Sequence, residues 1–455
     1  MKDSVTIIGG GLAGSEAAWQ LAERGIDVRL FEMRPQRQTS VHKSSDLAEL
    51  VCSNSLKSLD ANSASGALKY ELATLGSQVL KCALATRVAA GGALAVDREK
   101  FAAQVTQSLE SHERIEIIRE EFSDLLALLE AGKPCIIATG PLTSPALELR
   151  LEELLGRENL AFYDAAAPIV ETDSLDLDKL FFQSRYDKSG ADYLNAPLTR
   201  EKYDHLVQEL VGAARTIPRD FETRELFQAC QPVEEVARSG HDTLRHGALK
   251  PVGLVDPQTG KRPWAVIQLR PENSQGTAYN LVGFQTNLTF GEQERIFRLI
   301  PGLERASFSR FGVMHRNTFI DAPRVLDESF ALRQYPFLRF AGQITGTEGY
   351  VEAIASGLFA ALGTYAMLQG MRPIALPQET VLGSLFAHAT DPSITDYQPM
   401  HVNYGIIKPL AEPIKRKKER YAAYSRRSRA AIDTFREFYS FLTFPPAYPV
   451  PFLVP

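Results

Sequence analysis

Residues 4–32 limit the folds open to this chain more than any other segment; they read as a strand, a glycine cluster, a helix and a second strand. Ser4–Ile8 is a short β-branched run of the kind that forms a central parallel strand, buried on both faces. Gly9, Gly11 and Gly14, with Gly10 between the first two, give the spacing G-x-G-x-x-G. The first glycine permits a tight turn, the second removes a side chain that would face a pyrophosphate, and the third lets helix and strand pack closely. A helix predicted from about Leu12 to Glu23 aims its N-terminal amides and its dipole at the phosphates. The second strand, Asp27–Phe31, ends on Glu32, 18 residues beyond Gly14, where a carboxylate can accept a hydrogen bond from a ribose hydroxyl. The glycine spacing alone is weak. With its strand, helix and terminal acid it predicts a dinucleotide-binding βαβ unit.

Two later segments favour FAD over NAD. KPCIIATG (133–140) is an apolar strand ending at Gly140, where a backbone can approach a ligand. LRFAGQITGTEGYVEAIASGLFAALGTYAML is again strand, glycine turn and helix. Its strand closes at Phe340–Gly342, its turn carries Gln343 and Gly346, and its helix runs from near Tyr350 to about Leu368. In flavoenzymes with two dinucleotide motifs, such a pair returns to the first domain and sets its helix N-terminus beside the flavin, an analogy of fold. The expected architecture is therefore α/β: a Rossmann-like FAD-binding domain with a parallel sheet, interrupted by a smaller α+β insertion domain. The expected boundaries are 1–170 for the first part of the FAD-binding domain and 171–290 for the insertion. Residues 291–440 form its second part with a basic C-terminal helix, and 441–455 an apolar, proline-rich tail expected to pack as extended coil.

Composition excludes several classes. The chain has 455 residues, 44% hydrophobic and 23% charged, with a formal net charge of −5, so an RNA partner must be met by a local basic patch. Four cysteines in this length do not make a disulfide scaffold and suit a reducing cytoplasm, the expected location. The N-terminus enters a strand with no leader pattern, and no run of 18 or more uncharged apolar residues suggests a membrane span. Metal-ligand spacings such as C-x-x-C or H-E-x-x-H are missing, so no metal site is expected.

Reactive groups concentrate in two places. Met33–Ser65 is a long polar connection of the kind that tends to be functional, and it carries Cys52 among Ser53, Asn54, Ser55 and Lys57. Cys230 lies in ELFQACQPVEEVARSGHDTLRHG, where Pro232 ends any helix near the sulfur and Arg224, Arg238 and His241 are close in sequence. Positive neighbours lower a thiol pKa, so both are candidate nucleophiles, whereas Cys82 and Cys135 have the context of small core residues. Between 415 and 429, Lys415, Arg416, Lys417, Lys418 and Arg420 lead a basic run interleaved with Tyr421 and Tyr424, which suits a phosphate backbone with stacked bases.

Over nearly its whole length, to about Arg429, the chain resembles the folate- and flavin-dependent tRNA uracil-5-methyltransferase family. The resemblance rests on stretches such as IIGGGLAGSEAAWQLAERG, LAELVCSNSLKS, SRYDKSGADYLNAPLT, DTLRHGALKPVGL, IPGLERASFSRFGVMHRNTFI and FAGQITGTEGYVEA. It implies transfer of a one-carbon unit from methylenetetrahydrofolate to C5 of the thymine-loop uridine of tRNA, with FAD carrying and reducing the carbon and NAD(P)H replenishing the reduced flavin. It assigns Cys230 as the nucleophile and Cys52 to proton removal or a supporting role. It also places Tyr350 on the pterin, with Glu348 and the His315-Arg316-Asn317 cluster near flavin or folate. No membrane and no obligate protein partner are implied.

The match departs from the family pattern beside the nucleophile. Phe227-Gln228-Ala229-Cys230 stands where the family usually has phenylalanine-glutamate-glycine-cysteine, and Gln231-Pro232-Val233-Glu234 where it has methionine-proline-isoleucine-glutamate. Such changes bear on the RNA substrate more than on the flavin chemistry. The same reaction on a ribosomal RNA uridine is one alternative, and a small-molecule FAD oxidoreductase, needing neither loop cysteine nor basic run, is another.

Overall fold

The structure, a computed structural model, describes residues 4–39, 41–156, 160–165, 167–187, 193–216, 231–271, 276–312, 314–394, 397, 399–442 and 444–451; for 160–165, 187 and 314–317 only the backbone is described. Cys230, with the run Phe227–Ala229 before it, lies outside these residues.

The chain opens with β1 (Val5–Ile8), α1 (Leu12–Ala22) and β2 (Val28–Phe31), the two strands parallel in the register Val5–Val28 to Ile8–Phe31. The long polar connection is partly ordered: it contains β3 (Ser55–Ser58) and leads into α2 (Ala64–Thr74) and α3 (Gln78–Ala85). Both helices start on a serine, Ser63 and Ser77, whose hydroxyls accept from the amides of Gly66 and Leu80 and so satisfy donors the helix leaves open. β4 (Arg87–Val88) and β5 (Ala93–Val96) complete a small antiparallel sheet, order β3-β5-β4. There follow α4 (Arg98–Glu110), capped by Asp97, β6 (Ile115–Ile118), α5 (Leu125–Glu130), β7 (Cys135–Ile137) and α6 (Pro145–Leu155). Ser144 caps the last of these, and its first-turn proline is preset for the helical φ.

A second body follows: β8 (Leu160–Ala165), β9 (Ile169–Glu171), β10 (Phe181–Phe182), β11 (Leu194–Leu198), α7 (Arg200–Gly212), α8 (Val233–Ser239), α9 (Thr243–His246), β12 (Ala265–Pro271), β13 (Ala278–Leu281), α10 (Phe290–Phe297) and β14 (Phe308–Arg310). Its antiparallel sheet runs β10-β11-β12-β13-β9-β14. Tyr203, Leu206, Val207 and Leu210 line one face of α7 at helical spacing and pack into its core with Leu194, Ile267, Phe284 and Phe297. Sheet and core extend to Arg310, so residues 291–310, expected from the sequence in the FAD-binding part, belong to this second body.

The chain then returns through β15 (Met314–Ile320), antiparallel to β8, and α11 (Ala322–Val325) to β16 (Ala331–Leu332), β17 (Tyr335–Phe340) and α12 (Tyr350–Leu368), before α13 (Val381–Ala389) and α14 (Lys417–Phe438). The first sheet has the order β16-β17-β7-β1-β2-β6, parallel except for β16. From central β1 the chain passes to β2 on one side and later to β7 on the other. A crevice therefore opens at the carboxyl end of β1, where ligands bind in doubly wound sheets.

α12 is long and apolar enough to cross a membrane by length and composition, but its apolar window is 83% buried in the protein. It lies against α1 so closely that a Cβ on Gly357 would collide with the Ala13 carbonyl. After a short turn at Ser440–Leu442, the described tail residues 444–451 run without helix or strand beside α2 and α3: Tyr448 Oη donates to the Ser77 carbonyl (2.5 Å), and Arg436 Nη2 to that of Pro445 (3.0 Å).

Candidate active site

The crevice at the end of β1 is a cleft, partly open to solvent, lined by residues including Gly9, Gly11, Glu32, Gly140, Gly342, Gln343, Gly349 and Tyr350. The glycines in it do different things. Gly9 adopts φ +105° and a Cβ there would sit 2.6 Å from the Ala138 carbonyl oxygen, while Gly14 is pressed against the carbonyl of Gly9. These two let helix and strands touch. Around a Cβ on Gly11 or Gly140 there would be no protein atom within 4 Å, so the space beside them belongs to the cleft. α1 starts at Gly11 with no side-chain cap and no acid in its first turn, leaving its amides and dipole to an anion. These features fit the pyrophosphate of a dinucleotide.

Glu32 sits where the sequence predicts, at the end of β2, and is buried. One carboxylate oxygen accepts from the Gly10 amide (3.0 Å); the other accepts from the Arg34 amide (3.0 Å) and from Arg34 Nε (2.9 Å). Burial pushes its pKa up, but the Arg34 hydrogen bond and charge, with the two amides, outweigh it and hold the group below the usual carboxylate range. Arg34 also reaches Glu49 (3.0 Å), whose carboxylate collects the amides of Lys43 (2.8 Å) and Ser44 (3.1 Å). This Glu32–Arg34–Glu49 network, which the glycine motif does not announce, fixes the start of the loop that leads to Cys52.

The turn before α12 supplies the opposite wall. The Gly342 amide donates to Ser356 Oγ (2.6 Å), and the hydroxyls of Thr345 and Thr347 donate to the Gly342 carbonyl (2.8 and 3.0 Å). Gln343 Nε2 donates to Glu348 (2.8 Å), a buried side chain. Gly346 takes a left-handed φ of +76° and turns toward the ring of Tyr397, whose hydroxyl donates to the Thr345 carbonyl (2.9 Å).

Cys52 and Tyr350, 298 residues apart in sequence, meet here. Tyr350 Oη accepts from the amides of Cys52 (3.0 Å) and Ser53 (3.2 Å) and lies 2.9 Å from Cys52 Sγ. Burial drives the Tyr350 phenol well above its ordinary range, the nearby Cys52 raises it further, and Arg98 opposes both. The phenol therefore keeps its proton at neutral pH, and it shares with the sulfur a hydrogen bond in which either atom can be the donor. Cys52 is half-buried; Cys82 and Cys135 are buried in the core, as their sequence context predicts, and burial pushes the Cys82 thiol up to about 11. The Cys52 loop is braced from two sides. Arg270 of the second body donates to Asn54 Oδ1 (2.7 Å) and Ser53 Oγ (2.6 Å), and Lys57 pairs with fully buried Glu352 in the first turn of α12 (2.9 Å). Lys57 was visible in sequence only as a neighbour; Glu352 and Arg270 carried no signal there.

Of the other expected site residues, His315, Arg316 and Asn317 lie in β15 opposite β8, with side chains outside the described residues. In the basic run, Lys415, Arg416, Lys417, Lys418 and Arg426 are exposed. Arg420 donates to the carbonyls of Ile414 (3.1 Å) and Lys415 (3.3 Å), and Arg427 and Arg429 likewise bind main-chain carbonyls. Tyr421 and Tyr424, expected as stacking surfaces, both pack on Tyr404, with ring centroids 4.8 and 5.2 Å away. No cluster of three or more metal-ligating side chains occurs among the described residues.

Comparison with known proteins fits this geometry. The family described as "Glucose inhibited division protein A" matches residues 4–372. Among curated relatives, the methylenetetrahydrofolate--tRNA-(uracil-5-)-methyltransferase TrmFO of Heliobacterium modesticaldum is 51% identical over 95% of this chain and 98% of its own. That of Geobacter sulfurreducens is 53% identical over 95% and 99%. Among solved structures, Aquifex aeolicus GidA superimposes with a TM-score of 0.68 at 17% identity, over 97% of this chain and 76% of that one, a likeness of fold. Matched end to end at about half of all positions, and carrying the cleft such a fold requires, the chain belongs to the methylenetetrahydrofolate--tRNA-(uracil-5-)-methyltransferase family.

Proposed function

We propose that this protein methylates C5 of a uridine in the thymine loop of tRNA, taking the carbon from methylenetetrahydrofolate, with FAD held in the cleft and NAD(P)H as the source of electrons. The observation that carries the reading is the contact of Cys52 with Tyr350 at the wall of a dinucleotide cleft. Bound FAD supplies the two electrons that take a carbon at the formaldehyde level to a methyl group.

The chain's own residues perform the rest. The first turn of α1 and Gly11 hold the pyrophosphate, and Glu32 the ribose. Cys230, by family resemblance, adds its thiolate to C6 of the extruded uracil, which places the electron pair of the C5–C6 double bond on C5 as an enolate. C5 then bonds the methylene carbon of the donor. Cys52 as thiolate, its sulfur beside the Tyr350 hydroxyl, takes the C5 proton while the carbon–nitrogen bond breaks with its electron pair left on the donor nitrogen, which leaves an exocyclic methylene. The hydride that bound reduced FAD would supply turns it into methyl, and the pair released on C5 expels the Cys230 sulfur and restores the double bond. Tyr350 lines the cleft together with Gln343; by family resemblance Tyr350 stacks on the pterin, with Glu348 and the β15 residues His315, Arg316 and Asn317 near flavin or folate. Lys415, Arg416, Lys417 and Lys418 bind the RNA backbone. Reduced thiols and a tRNA substrate fit work in the cytoplasm.

The test is transfer of labelled carbon from methylenetetrahydrofolate to unmodified tRNA transcript by the FAD-loaded protein, with ribosomal RNA as the paired substrate. Incorporation into tRNA that is abolished by Cys230→Ala is the expected result. Activity surviving that substitution refutes the nucleophile, and incorporation into ribosomal RNA alone moves the substrate.

A further inference from the structure

The second body carries an aromatic arrangement that the cleft does not use. Phe290, the first residue of α10, is 55% exposed. Its ring lies nearly parallel to Phe311, with centroids 5.0 Å apart and planes 17° apart, and Phe311 lies nearly parallel to Phe308 at 5.1 Å and 19°. The three rings form a ladder. Its inner rung packs on the second core and its outer rung meets solvent. Hydrogen bonds pin it: Gln293 Nε2 donates to the carbonyls of Leu288 and Gly312 (2.8 Å each), and the Gly312 amide donates back to Gln293 Oε1 (2.7 Å). Phe311 is thereby locked to the helix that presents Phe290.

The strap leading into α10 also anchors both ends of the segment that contains Cys230. The Thr289 amide donates to the Ala214 carbonyl (3.1 Å), and that of Thr216 to Asn287 (2.8 Å). On the far side, the Val233 amide donates to the Gln285 carbonyl (2.7 Å), and the Asn287 amide to Glu234 Oε1 (2.7 Å). Phe290 is five residues from Gln285, at most about 17 Å of extended chain. Cys230 is three residues from Val233, at most about 11 Å. A base held at Cys230 and a ring at Phe290 are thus separated by a distance that a few unstacked nucleotides span.

We propose that Phe290 is the stacking platform for an unpaired base of the RNA substrate, a neighbour of the target uridine in the opened loop. The proposal rests on the RNA-methylating function inferred above. Extruding the target leaves its neighbours without their stack, and single-stranded bases regain it on aromatic side chains. Phe290 offers an open face backed by two further rings. Tyr421 and Tyr424, the aromatic residues of the basic run, pack on Tyr404.

The test uses full-length FAD-loaded protein, unmodified tRNA transcript and the variants Phe290→Ala, Phe290→Leu and Phe290→Trp, each checked for its melting transition. Phe290→Ala is expected to raise KM for the transcript roughly ten- to hundredfold with kcat little changed. Phe290→Leu, apolar but without a ring, stays impaired, and Phe290→Trp returns toward wild type. 2-Aminopurine beside the target uridine is quenched on binding wild type and Phe290→Trp but not Phe290→Ala. A wild-type KM in Phe290→Ala overturns the platform. So does concentration-dependent self-association that Phe290→Ala abolishes with KM unmoved, which makes the ring a contact between two copies. A wild-type protein that neither binds nor methylates the transcript defeats the functional reading itself; methylation unaffected by Phe290→Ala defeats the platform alone.

Discussion

Replacing Tyr350 by Phe separates two roles that the cleft gives to one side chain. The ring, with any stacking it provides, stays; only the hydroxyl goes. That hydroxyl accepts from two amides, Cys52 and Ser53, and touches Cys52 Sγ. At roughly 1 kcal/mol net per hydrogen bond, its loss removes about 2–3 kcal/mol of local stabilisation from the Cys52 loop. If the loop opens as a unit, the open population rises roughly 30- to 150-fold. Hydrogen exchange at the Cys52 and Ser53 amides reads this directly, as a fall in protection of the same size. Cys52 should also alkylate faster, while Cys82 and Cys135, buried in the core, do not change. With the sulfur no longer oriented, carbon transfer to tRNA falls at least about tenfold, the low end for a displaced acid–base group. Unchanged protection together with wild-type transfer in Tyr350→Phe would refute the reasoning and leave Tyr350 to act by its ring alone.

Two further outcomes follow from charge. Glu71 on α2 is buried, accepts from the amides of Val381 and Leu382 at the start of α13 (2.9 Å each) and binds the Ser428 hydroxyl of α14; burial pushes its pKa up to about 7 despite those donors. Between its ordinary value and about 7 the unfolded chain gives up a proton that the folded protein keeps, so stability is full below that window and falls as pH rises through it, by about 3 kcal/mol. Glu234, also raised to about 7, adds a term of the same sign. Melting temperatures compared at about pH 5 and about pH 8 should therefore draw closer together in Glu71→Gln; an unaltered difference contradicts this. In the basic run, replacing Lys415, Arg416, Lys417 and Lys418 together by alanine should reduce the slope of log K for tRNA against log salt by roughly 3. An unchanged slope removes these side chains from the RNA contact.

What the sequence disclosed and what it withheld divide along chain distance. β1, α1, β2 and Glu32 are specified by neighbours a few residues apart, since the glycine spacing and hydrophobic run define a local unit, and α12 was legible from Tyr350 to Leu368 for the same reason. The pairing of Cys52 with Tyr350 crosses 298 residues, and nothing local in ELVCSNSLKS indicates which hydroxyl its sulfur meets. Glu352 carries no signal in the sequence, and only the fold reveals that Lys57 balances it. Composition identified the basic run but not which cations remain exposed: Arg427 binds the Pro409 carbonyl and Arg429 that of Ala61. The tyrosines there were read as platforms because sequence cannot show Tyr404 closing over them.

The intimate contact of Gly357 with the Ala13 carbonyl has a consequence for synthesis of the protein. The glycine motif leaves a ribosome well before α12, which forms one wall of its cleft and ends at Leu368. At about 5–20 residues per second, the interval between completing β2 and completing α12 is roughly 20–70 s. During most of that time β7, made early, lacks β17 at its outer edge, and α1 lacks the α12 that packs on it. The second body, local in sequence from Ile169 to Arg310, can close its own sheet in the meantime. Loading of the dinucleotide then marks a late event in the making of the molecule, and flavin fluorescence on a stalled nascent chain would register the return of α12.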